Sequence, residues 1–116
     1  MSFWRREVIE FALDQETLRH IGEQQAWIEC EPSNPAPYQN LARLYRMCGE
    51  SEKALGLLLH AVNLDPRFAG AHADLAEMYA IAGDGKAAWQ HARAAEENGD
   101  SRAVDLLRRY AVSGNE

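Results

Sequence analysis

The feature that most constrains this chain is self-similarity at a fixed distance. Leu41 and Leu75, Ala42 and Ala76, Tyr45 and Tyr79, Gly49 and Gly83, Ala54 and Ala88, and Ala61 and Ala95 are identical pairs, each 34 residues apart. A unit of that length is one supersecondary element, unable to bury its apolar face alone, so copies of it must stack. At 116 residues the chain has room for about three such units in one domain and no second core.

The interior of the unit is helical. Tyr38, Leu41, Ala42 and Tyr45 recur at spacings of three and four, which predicts one face of a helix over residues 37–48. Gly49 ends it, Ser51 is the expected N-cap of the next helix, and that helix turns Ala54, Leu57, Leu58, Ala61 and Val62 inward. It stops at Asp65-Pro66, because a proline disfavours helix in the residue before it. The result is one helical hairpin, repeated 34 residues on.

These residues resemble the tetratricopeptide repeat family. Residues 35–68 supply Tyr38, Leu41, Ala42, Tyr45, Gly49, Ala54, Leu58, Ala61 and Pro66 to its pattern. Residues 69–102 supply His72, Leu75, Ala76, Tyr79, Gly83, Ala88, Ala92 and Ala95, and end in Asn98-Gly99-Asp100 where the family places a proline. Residues 1–34 read as a degenerate repeat. Pro32 lies 34 before Pro66, and Trp4, Val8 and Phe11 fit a first helix, whereas His20, Gln24 and Trp27 stand where small or apolar side chains are usual. No glycine lies near Gln15, so a hairpin and a single long helix over residues 3–30 both stay open; the first gives seven helices in all, the second six. Residues 103–114 read as a capping helix with Ala103, Leu106, Leu107, Tyr110 and Ala111 on one stripe and Ser101 or Asp100 as its N-cap. The expected fold is all-α, a right-handed solenoid of helical hairpins with about three repeats and a cap.

The resemblance implies a protein-binding module. In such solenoids the first helices line the inner, concave surface, where a peptide segment of a partner is held. The residues of that face are Gln39, Asn40, Arg43, Arg46 and Met47 in one unit and Ala73, Asp74, Glu77, Ala80 and Ile81 in the next. Arg43 and Glu77, 34 apart, are expected to be lateral neighbours, and Met47 and Ile81 to form an apolar spot beside a mixed-charge strip. Reversal of both arginines, Arg43→Glu with Arg46→Glu, is expected to leave the fold intact, since surface substitutions usually cost within about 0.5 kcal/mol. Members that clamp a C-terminal carboxylate place cations and amides at positions that here read Arg5, Ile9, Asn40, Gly70 and Asp74; Asp74 would repel the carboxylate, which excludes that subtype. An adaptor or partner-specific chaperone is the role implied. A self-associating scaffold is the alternative, a homodimer formed through Phe3, Trp4 and Trp27 of the first unit.

Composition narrows the partners further. Twelve basic against eighteen acidic residues give a net charge of −6, which argues against nucleic acid and anionic lipid as partners. The strongly apolar stretch Leu55–Val62 is too short to span a membrane, and the start of the chain lacks a signal-peptide core. With only Cys30 and Cys48, a reducing compartment, the cytoplasm, is expected. His20, His60, His72 and His91 contain no one-helix metal spacing, and Gly83-Asp84-Gly85 is a hairpin turn with no strand before it, so no catalysis, metal or cofactor is expected.

Overall fold

A computed structural model describes the backbone of residues 2–114 and the side chains of residues 14–114. Six helices follow one another: α1 Ser2–Cys30, α2 Pro35–Met47, α3 Ser51–Leu64, α4 Ala69–Ile81, α5 Gly85–Glu97 and α6 Arg102–Arg109. No strand occurs among the described residues. α2 with α3 and α4 with α5 are the hairpins; α1 packs on α2, α3 on α4, and α6 on both α5 and α4. The stack is elongated, 54 × 38 × 22 Å.

Residues 2–30 take the single-helix alternative. α1 runs 29 residues, about 43 Å at the usual helical rise. Its continuity follows from what position 15 lacks. In the two hairpins, Gly49 (φ 80°) and Gly83 (φ 88°) take the left-handed conformation that closes the first helix. Around Gly49, Glu50 N–H donates to Tyr45 O at 2.9 Å and Gly49 N–H to Arg46 O at 3.1 Å. The same pair of bonds recurs around Gly83, from Asp84 to Tyr79 and from Gly83 to Ala80. Gln15, 34 before Gly49, has a Cβ that penalises this turn, and the helix runs on. It stops before Pro32, and Asn34 then caps α2 by accepting from Ala36 N–H at 3.0 Å, with Pro35 in the first turn. Ser51, the expected cap of α3, is instead its first residue, and Glu50 occupies the cap position without a side-chain bond.

Small side chains set the closeness of the helices. Ala42, Ala54, Ala61, Ala71, Ala76, Ala88, Ala92 and Ala95 are fully buried. α4 has helices on both flanks, and residues 71–76 are buried without interruption. Two apolar clusters result. One gathers Tyr38, Leu58 and Leu75 with the alanines between α2, α3 and α4. The other gathers Trp89, Val104 and Leu107 with those between α4, α5 and α6.

The cap differs from its expected form. α6 ends at Arg109, and its inward residues are Ala103, Val104 and Leu107; Tyr110 is 70% exposed and Ala111 is exposed. The stripe through Leu106 and Tyr110 required the helix to continue, whereas Ala111 adopts φ 51° and closes it. The N-cap work falls to Asp100, whose carboxylate accepts from Arg102 N–H at 3.1 Å. The chain then folds back on α5: Trp89 Nε1 donates to Val112 O at 2.8 Å. A Cβ on Gly85 would lie 2.0 Å from Ser113 O, so only glycine admits the returning backbone there.

Candidate functional site

The face shared by α2 and α4 carries a ladder of polar contacts. Arg43 holds Asp74 with two bonds, Nε to Oδ2 at 2.9 Å and the terminal guanidinium nitrogen to Oδ1 at 3.3 Å. Gln39 Nε2 donates to the same Oδ2 at 3.1 Å. One turn on, Arg46 donates to Glu77 Oε1 at 3.3 Å. Asn40 faces the other way and donates to Gln24 of α1 at 3.2 Å. Gln39 lies so close to α4 that a Cβ on Gly70 would stand 2.7 Å from its amide.

The partners in the two arginine–carboxylate pairs are therefore 31 residues apart, not 34: Arg43 meets Asp74, and Glu77 takes Arg46 rather than Arg43. Side chains on a helix lean toward its N-terminus. A long arginine on α2 thus reaches a carboxylate one turn earlier on α4 than its repeat equivalent. Asp74 is buried, with both oxygens engaged, which makes Arg43 a structural partner and not a freely replaceable surface charge. The expectation that reversing both arginines leaves the fold intact is corrected for Arg43.

Apolar residues flank the ladder. Met47 and Ile81 are each 75% exposed, so neither is core material. Ile81 lines a cleft of about 320 Å³ between α4 and α6, together with Ala80, Leu106 and Tyr110. It also lines a cleft of about 260 Å³ toward the α2–α3 turn, with Leu55 and Met78. The apolar spot is thus centred on Ile81, with Leu106 and Tyr110 as neighbours. Sequence reasoning assigned both to the inward stripe of the cap, and the signal that separates them is Val104, whose burial turns α6 by one position.

The histidines form a packed structural cluster. His72, at the place of Tyr38 in the preceding unit, repeats its hydrogen bond: Tyr38 O–H donates to Pro32 O at 2.9 Å, and His72 Nε2 lies 2.8 Å from Pro66 O. His91 bonds His72 across the α4–α5 hairpin and stacks on Tyr79, ring centroids 5.5 Å apart. Burial, and secondarily the neighbouring His72, pushes the His91 imidazole below its ordinary value. His60 is exposed, its ring 4.7 Å from Tyr38. Among the described residues no three His, Cys, Asp or Glu side chains converge as metal ligands. At the cap, the Arg102 guanidinium clamps Asp100 through bonds of 2.7 to 3.2 Å and holds its carboxyl below the usual range. Cys30 and Cys48 are exposed free thiols.

Of the proposed self-association residues, Phe3 and Trp4 lie outside the described side chains, as do Arg5 and Ile9. Trp27 is half-buried, and its indole N–H donates to Glu31 one turn on. Among the described residues, no helix is long and apolar enough to cross a membrane.

Residues 24–56, spanning the end of α1, all of α2 and the first six residues of α3, match the family model described as a tetratricopeptide repeat. With two hairpins of the same pattern and six helices among the described residues, the chain fits a tetratricopeptide-like helical repeat protein. Repeats of this family generally mediate protein–protein interaction and are typically non-enzymatic. No curated protein matches the chain in sequence.

Proposed function

We propose that the chain is an adaptor or chaperone-like module that holds a segment of a partner protein on the face formed by α2, α4 and α6. The observation that carries this reading is Ile81: a large aliphatic side chain, 75% exposed, at the meeting of two clefts. Exposed apolar surface gathered around concavities marks interaction sites, whereas single scattered apolar residues do not. The flanking ladder of Gln39, Arg43, Asp74, Arg46 and Glu77 contributes a polar rim with Met47 at its margin, whereas Asn40, turned toward Gln24 of α1, is not part of it. The test is a peptide display selection on the wild-type chain, followed by binding measurements on Ile81→Asp. Ile81 makes little core contact, so the variant should melt with the wild type while losing the selected peptides by tenfold or more, about 1.4 kcal/mol. Undiminished binding would refute the groove.

A second reading, self-association through α1, is favoured by one observation. At about 43 Å, α1 is roughly twice as long as α2, the helix it chiefly packs on. Light scattering over a concentration series tests it, with dimer mass at high micromolar concentration expected and Trp4→Ala expected to abolish it.

A further inference from the structure

The charged residues of the groove are unequally committed, and that inequality narrows the class of segment it would take; this step rests on the reading just given. Two clefts between α4 and α6, of about 320 and 230 Å³, share Glu77 and Leu106 and so form one continuous groove. One end is apolar, walled by Ala80, Ile81 and Tyr110. The other holds Asp74 and Arg102. Asp74 has both oxygens occupied by Gln39 and Arg43, and Arg102 pairs with Asp100 through Nε and one terminal nitrogen. Glu77 accepts a single bond, from Arg46 to Oε1 at 3.3 Å, and its side chain is 44% exposed. Its Oε2 has no partner among the described residues. An acceptor with spare capacity stands where the apolar and polar ends of the groove meet.

We propose that this groove binds a peptide segment bearing a large apolar side chain with a lysine or arginine close to it. The apolar side chain fills the cleft beside Ile81, Leu106 and Tyr110, and the cation reaches the free oxygen of Glu77. A carboxylate with apolar walls on one side is partly shielded from water, so a cation there is worth more than one on an open surface. The net charge of −6 adds long-range attraction for basic segments. An acidic segment would meet Glu77 with like charge and lie beside Asp74, while the charge of Arg102 is already paired with Asp100.

The experiment sequences the peptides that a random display library yields on the wild-type chain, then measures them on Glu77→Gln and Ile81→Asp. Glutamine keeps an oxygen for Arg46, so Glu77→Gln should melt with the wild type. The expected result is a shared apolar residue with a neighbouring Lys or Arg, and binding about tenfold weaker to Glu77→Gln. Replacing the peptide's cation by glutamine should weaken binding to the wild type by a similar factor and have little further effect on Glu77→Gln, which couples the two groups. Peptides lost on Ile81→Asp but indifferent to Glu77→Gln would overturn this inference and leave the groove reading standing. Peptides indifferent to both substitutions, or none recovered, would overturn both.

Discussion

His72 Nδ1 lies 3.0 Å from His91 Nδ1, and the surrounding bonds decide which ring carries the proton between them. Pro66 O can only accept, so His72 Nε2, 2.8 Å away, carries a hydrogen. In neutral His72 the other nitrogen is then an acceptor, and His91 must donate from Nδ1. The pair ties α4 to α5. In this arrangement the nitrogen of His91 outside the pair, Nε2, is where that ring would take up an added proton.

Acidification is therefore expected to weaken the second hairpin. The folded chain disfavours protonated His91, through burial and then through His72, whereas the unfolded chain binds that proton at the ordinary value of 6.5. A base whose folded value is lowered contributes stability that is present in full above 6.5 and is lost as the pH falls toward the lowered value. Urea midpoints should drop across that window, and His91→Gln should flatten the drop. A wild-type midpoint that is level through mildly acid pH would show that the pair carries no linkage.

The end of α6 offers a stabilising change. Ala111 takes φ 51° and closes the helix with the bond pattern of the two glycine turns: Val112 N–H donates to Leu107 O at 3.0 Å and Ala111 N–H to Arg108 O at 3.1 Å. An L-residue pays roughly 1–2 kcal/mol for the left-handed conformation, partly offset in glycine by greater chain entropy. Ala111→Gly is expected to raise stability by about 1 kcal/mol, read as a higher thermal midpoint. Gly49→Ala should lower it by a similar amount.

Ala76 tests the packing. It is fully buried on α4, the helix with neighbours on both flanks. Enlarging it to leucine cannot be absorbed by one side moving away, and Ala76→Leu should cost about 1–3 kcal/mol. A urea midpoint equal to wild type would mean the helices are less closely set than their alanines indicate.

The hairpins were legible because their determinants are local. Gly49 and Gly83 supply the left-handed turns, Pro66 stops α3, and the alanines mark close approach, all within a few residues of where they act. The fate of residues 1–30 was half legible: the missing glycine at position 15 raised the question that the continuous helix answers. What could not be read was relative placement. Arg43 meets Asp74 rather than Glu77 because of side-chain lean and helix offset, neither of which a period of 34 encodes. Tyr110 joins the groove because α6 ends one residue before it, at a turn made by an alanine where the sequence signal would be glycine.

That register separates two arginines which look equivalent in the sequence. Arg43 grips buried Asp74 with two bonds, and its replacement by glutamate would strand that carboxylate, leave Gln39 as its one remaining partner and add a like charge beside it. Removing one partner of a buried ion pair is costly, though half-exposure of Arg43 screens part of the effect, so Arg43→Glu should destabilise by about 2 kcal/mol. Arg46 makes one bond of 3.3 Å to Glu77, whose side chain is 44% exposed, and Arg46→Glu should cost about 1 kcal/mol or less. Loss of binding in the first variant would therefore mix unfolding with recognition, whereas loss in the second would report on the groove. Urea titration of the two single variants decides the matter: equal midpoints would show that the Arg43–Asp74 contact is no stronger than an ordinary surface pair.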